Sequence, residues 1–149
     1  MAKITAAGLD QPVLNPRGAG DVVASPRRSA AVAATLAQND LVVLGILPAW
    51  CELVDFALDA TDLDTNASPA IVLAVGILNA AGDDLNANQN IITASTVAQA
   101  GGVQFANDPK GLALAAASVD RYLVAKVITA AGTGAAGTLG GRVYCVAKN

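Results

Sequence analysis

The sequence predicts an all-β protein: an antiparallel β-sandwich, Ig-like or jelly-roll-like, with an extended N-terminal arm. Two observations lead there. Beyond about residue 28, short apolar runs alternate with clusters of turn-forming residues. No run of roughly 10–15 residues carries the 3.6-residue apolar period that βαβ units need. The apolar content is high, 54% of 149 residues, yet alanine alone supplies about a fifth of the chain and aromatics only 3%. The apolar excess is therefore built from small side chains rather than large core anchors.

Residues 1–27 read as the arm and 28–149 as the sandwich. In the arm, Gly8, Pro12, Pro16, Gly18, Gly20 and Pro26 interrupt every regular pattern. Fully extended at about 3.3 Å per residue it reaches roughly 80 Å, either disordered or laid across a neighbour. Ser29–Leu36 is a weak strand with Val32, Ala34 and Leu36 on one side. Asp40–Leu47 is apolar on both faces, as a buried strand is, and Pro48 stops it. Trp50–Leu58 follows. Ala70–Leu78 is the clearest strand, with Ile71, Leu73, Val75 and Ile77 on one face and Ala74 and Gly76 on the other.

The segment from Ala80, AAGDDLNANQN, has the composition of a loop. Ile91–Thr93 is a short strand, and Ser95–Ala100 a single helical turn closed by Gly101 and Gly102. Asn107–Ser118 is ambiguous: alanine favours helix, whereas Pro109 and Gly111 favour a loop. Arg121–Thr129 alternates, with Leu123, Ala125 and Val127 on one side. Leu139–Lys148 closes the chain, with Val143 and Cys145 opposed to Arg142, Tyr144 and Lys148.

Composition excludes several function classes. Charged residues are 14% of the chain, against about 25% in typical soluble domains, so the surface is unusually neutral. A net charge of -3 provides no basic footprint for nucleic acid. The longest apolar run, Leu41–Cys51, is about half the ~20 residues a membrane span needs and contains Pro48. The opening MAKITAAGLD lacks the apolar stretch of a secretory signal. Without a single histidine, His-based triads and the commonest zinc ligand are gone. Cys51 and Cys145 form no CxxC and lie in apolar strands, as buried free thiols do; a disulfide would need Cα atoms within roughly 7 Å.

Charge is segregated. From Leu41 to Pro109 every ionised side chain is acidic; beyond it only Asp120 is, against Lys110, Arg121, Lys126, Arg142 and Lys148. Two readings follow: pairing between strands of one subunit, or an acidic edge of one copy meeting a basic edge of the next.

Each motif with chemical potential has a plainer reading. Gly132-x-Gly134-x-x-Gly137 matches GxGxxG, but a strand-like LGGRVYCVAK follows where a dinucleotide site requires a helix; a flexible hairpin connection fits better. Asp62-x-Asp64-x-Asn66 opens like an EF-hand, yet Ala67 and Leu73 stand where glycine and the bidentate glutamate belong. What remains there is an acidic turn bonding its own backbone, or a weak cation site among Asp59, Asp62 and Asp64. Asp83 and Asp84 are adjacent in a loop, which does not set the separation that glycoside hydrolysis uses. Of the aromatics Trp50, Phe56, Phe105, Tyr122 and Tyr144, most occupy core-like positions; Trp50 after Pro48 is the one for which an exposed position stands as an alternative, a core position being the plainer reading there too. Asn66-Ala-Ser68 fits a glycosylation sequon that is idle without export. No catalytic, cofactor-binding or metal-binding residue is assigned.

The run NDLVVLGILPAWCELVDFALDATDLD, through SPAIVLAVGILNAAGDDL to ITASTVAQAGG, resembles small structural proteins of tailed bacteriophages, several of which are head decoration (cement) proteins. The resemblance spans roughly residues 40–146, with DRYLVAKVITAAGTGAAGTLGG similar to the closing strands and hairpin of that family. It rests on strand texture and turns. Trp50 departs from it, standing where the family has a small residue. The resemblance implies β-sandwich modules, often trimeric, that grip the shell and carry no catalytic residues. The expectation is therefore a non-enzymatic virion protein, made in the host bacterial cytoplasm, that decorates the outer capsid surface and bridges major capsid protein subunits as a homotrimer. No nucleic acid, membrane, cofactor or metal takes part. Rival expectations are a tail or neck component and a virion-displayed glycan-binding module centred on Trp50.

Overall fold

The computed structural model describes residues 1–9 and 21–148. They form ten strands: β1 (Lys3–Thr5), β2 (Val22–Ala24), β3 (Arg28–Val32), β4 (Leu41–Leu47), β5 (Cys51–Ala60), β6 (Val72–Leu78), β7 (Leu85–Ser95), β8 (Gly102–Phe105), β9 (Arg121–Thr129) and β10 (Gly137–Ala147). A 3₁₀ turn (Val97–Gln99) and one short helix, α1 (Pro109–Leu112), complete them. The first sheet has the order β1-β4-β9-β6-β7. In the second, β10 is flanked by β5 on one side and by β2 and β3, end to end, on the other, with β8 outermost beyond β5. All pairings are antiparallel except β1 with β4. The chain is an all-β sandwich.

The alternation read from the sequence builds the core. Leu73, Val75 and Ile77 from β6 and Leu123, Ala125 and Val127 from β9 point inward. They meet Leu53, Phe56, Leu58, Leu139, Val143 and Cys145 from the second sheet. Gly45 lies at the centre, where a Cβ would sit 2.8 Å from Val143 Cγ2. The second apolar face expected of β4 is also buried. Leu41 and Val43, with Val124 of β9, form a small cluster on the outside of the first sheet, covered by Leu9, Leu78 and Leu85. That patch is covered by the chain itself, while a groove of about 360 Å³ lined by Lys3, Thr5, Leu9, Val43 and Tyr122 stays open beside it on the same face.

Several expectations change. Residues 3–5 and 22–24, read as arm, are strands that complete one edge of each sheet, and the intervening residues 10–20 lie outside the described ones. The polar NANQN, read as loop, belongs to the long strand β7. Asn and Gln are poor strand formers alone, but pairing along β6 overrides that preference at an edge. The weak strand from Ser29 stops at Val32. The glycine-rich connection after β9 is not a hairpin: β9 is already paired on both sides, so the chain crosses to the other sheet before β10 begins. The ambiguous segment from Asn107 is one helical turn, capped by Asp108, whose side chain accepts from the Lys110 N–H at 2.9 Å.

Candidate functional site

The residues singled out for chemistry are occupied structurally. Asp64 is buried, and its carboxylate accepts five backbone N–H groups: Asn66, Ala70, Ile71, Gly132 and Thr133, at 2.7–3.3 Å. These bonds hold its pKa well below the usual carboxylate range, the Thr133 amide contributing most. N–H groups converging on both oxygens exclude a cation from that position. The presumed cation cluster also fails to gather: Asp59 pairs with Arg27, while Asp62 accepts from the Asp64 N–H at 3.0 Å. Asp64 therefore clamps the 62–71 loop to the glycine-rich crossing.

The glycines of that crossing have a packing role. A Cβ on Gly132 would press on the Asn66 side chain at 3.0 Å, one on Gly134 would strike the Ala34 carbonyl, and one on Gly137 the Thr61 hydroxyl. The match to a dinucleotide fingerprint reflects close approach to protein, with no helix following to receive a phosphate. Asp83 and Asp84 likewise diverge: Asp83 accepts from the Asn79 amide at 2.9 Å, and Asp84 pairs with Lys126 at 2.6 Å. Lys126 lowers the Asp84 pKa.

Both cysteines are free, buried and inward-facing. In the β5–β10 register Cys51 lies opposite Ala147 and Cys145 opposite Leu53, which makes the two thiols diagonal neighbours on one face. Desolvation raises both pKa values, that of Cys145 to about 11, with Cys51 adding to the shift.

Charge segregation resolves in part within the subunit. Lys126–Asp84 and Lys148–Glu52 join the basic C-terminal third to the acidic middle, the latter at 3.1 Å. Arg121 donates to the carbonyls of Ala115 and Cys51, both at 3.0 Å.

The exposed features lie elsewhere. Trp50 is 62% exposed with φ +60°, a left-handed conformation that a bulky side chain rarely adopts. Its turn is over-determined: the Ala49 N–H donates to Asp120, the Trp50 N–H to the Ala117 carbonyl, and the Lys148 N–H to the Trp50 carbonyl, at 2.6–2.9 Å. A strained conformation of this kind persists only where surrounding bonds enforce it. The sequence left Trp50 between a core position, the plainer reading, and an exposed one, and the structure exposes it. The sequence misplaced Phe105 and Tyr122, which are 53% and 47% exposed; Phe56 alone among the aromatics is fully buried. Phe105 escaped because β8 is a sheet edge, and edge position is invisible in periodicity.

The outer face of the second sheet, unlike that of the first, has no apolar cluster folded over it among the described residues. It carries a groove of about 390 Å³ between Val103 and Phe105 of β8 and Arg142 and Tyr144 of β10.

The whole fold recurs in a solved phage capsid. A chain in the capsid of Ralstonia phage GP4 superposes with a TM-score of 0.85 at 31% identity, over 99% of both chains. The chain belongs to a family of phage capsid-related proteins. A chain in the capsid asymmetric unit of cyanophage Pam1 matches at a TM-score of 0.68 and 29% identity, over 93% of this chain and 95% of that one. No protein-family model and no curated protein sequence matches. This capsid-related protein has a structural role in the virion. For such a role the relevant geometry is surface: the Trp50 turn and the uncovered sheet face.

Proposed function

We propose that this capsid-related protein is a decoration (cement) protein, bound as a homotrimer to the outer surface of a tailed-phage head, where it bridges major capsid protein subunits. The observation that carries the reading is the end-to-end likeness to a chain of the Ralstonia phage GP4 capsid. The physical character agrees. A neutral surface of small residues allows close subunit contact with little charge to desolvate. Stabilisation of a shell comes from many such contacts failing only together.

The test is stoichiometry in purified virions. A decoration protein is present in tens to hundreds of copies per head, and a virion with only a few copies overturns the reading. A strained, exposed Trp50 specifically favours a second reading, a glycan-binding module displayed on the virion. There the expected result is glycan binding that Trp50→Ala abolishes.

A further inference from the structure

Each sheet keeps a groove on its outer face, but only the first also carries a covered apolar cluster there. On the first, Leu41, Val43 and Val124 are buried beneath Leu9, Leu78 and Leu85. On the second, a groove is left open beside Val103 and Phe105, which are 61% and 53% exposed. Its layout follows from strand register. Phe105 lies opposite Ala57, and Ala57 opposite Arg142, so an aromatic ring and a guanidinium stand on either side of a small floor residue. At about 4.8 Å per strand these two walls are roughly 10 Å apart, wide enough for one side chain to enter.

The charges of the groove are unequal. Asp59 is engaged by Arg27, whose Nε donates to it at 2.9 Å. Gly140 permits that pair to lie flat against the sheet, since a Cβ there would meet the Asp59 carboxylate at 2.5 Å. Arg142 is exposed and has no carboxylate within 4.0 Å among the described residues. The groove thus holds one uncompensated positive charge in a protein whose net charge is -3. A guanidinium beside exposed aromatic and aliphatic surface is the composition of an interface anchor.

We propose that this groove receives a segment of another virion subunit that presents a carboxylate to Arg142 and an apolar side chain between Phe105 and Tyr144. The carboxylate forms the charge-assisted bond that Arg142 lacks within its own chain, and the apolar side chain covers Phe105. The inference rests on the decoration reading and names the surface through which it acts.

The experiment is co-sedimentation of the purified full chain with capsid shells of the parent phage that lack it. Arg142→Gln is compared with Lys110→Gln, which removes the same charge at α1, away from the groove, and with Phe105→Ser. Equal thermal midpoints establish that each variant is folded. The expected result is binding weakened about tenfold by Arg142→Gln and by Phe105→Ser, unchanged in Lys110→Gln, with Arg142→Lys retaining part of it. Wild-type-like binding by both groove variants overturns the inference and leaves the decoration reading standing. A wild-type chain that fails to bind shells overturns both. Binding of an acidic glycan that Arg142→Gln abolishes, with shell binding intact, overturns the protein occupant in favour of a carbohydrate.

Discussion

Five backbone amides converge on the Asp64 carboxylate, so one side chain fixes two loops distant in sequence. Asp64→Asn removes the charge and places an amide donor against N–H groups; we expect its thermal midpoint to fall by about 5 °C at pH 7. The pH dependence has a definite sign. Because the folded pKa lies below the unfolded value of about 3.9, the stabilisation is complete above that pH and is lost as pH falls towards the folded value. Thermal scans should show a constant gap between wild type and Asp64→Asn from pH 7 to about 4 that narrows below it; a gap independent of pH down to 2 would contradict the carboxylate's role. The thiols give a second prediction. Burial keeps Cys51 and Cys145 protonated and inaccessible, so an aromatic disulfide reagent should titrate neither in the native protein and two after denaturation. The Asp62–Asn66 pattern showed that these side chains bond local backbone. It could not show that Asp64 also reaches Gly132 and Thr133, because that depends on how β9 crosses to β10.

At the scale of elements, β1 matters more than its three residues suggest. The Leu41 N–H donates to the Ala2 carbonyl and the Ala6 N–H to the Val43 carbonyl, both at 2.8 Å, which converts β4 from an edge into an interior strand. Removing residues 1–6 should raise deuterium uptake in β4 at least about tenfold while leaving the β5–β10 pair protected. It should also promote aggregation detectable by light scattering, since β4 then offers an unpaired edge beside apolar surface. Unchanged exchange in β4 would mean that β1 is ornamental. The strands with strong alternation, β6, β9 and β10, were legible because one face of each is buried and the period of two records it. Strands β1, β2 and the polar half of β7 were not, because an edge strand is held by main-chain bonds to a neighbour rather than by its own side chains.

For the whole molecule the decisive question is what it assembles with. In reducing buffer, light scattering across a dilution series should give a concentration-independent mass near three times 14.8 kDa if the homotrimer is correct. A stable monomer would remove the trimer and move the bridging contacts to the shell itself. The ion pairs Lys126–Asp84 and Lys148–Glu52 show that part of the charge segregation is consumed within one subunit, so it no longer argues by itself for complementary edges between copies. Lys110, Arg121 and Arg142 are the basic residues of that segment without a carboxylate within 4.0 Å among the described residues, and of these Arg142 lines the groove on the outer face of the second sheet.

What the amino-acid sequence determined alone was the class and the interior. Alternating apolar residues without a helical period specify an all-β fold, and the same alternation predicts which faces of β4, β6, β9 and β10 are buried. Tertiary structure alone decided which strands are neighbours, where β10 goes after β9, that Cys51 and Cys145 meet, and where the outer sheet faces stay open. The reason is physical. Burial of a residue's own side chain leaves a trace in local periodicity, whereas edges, crossings and uncovered faces are set by pairing between segments many residues apart, and no local pattern records a partner.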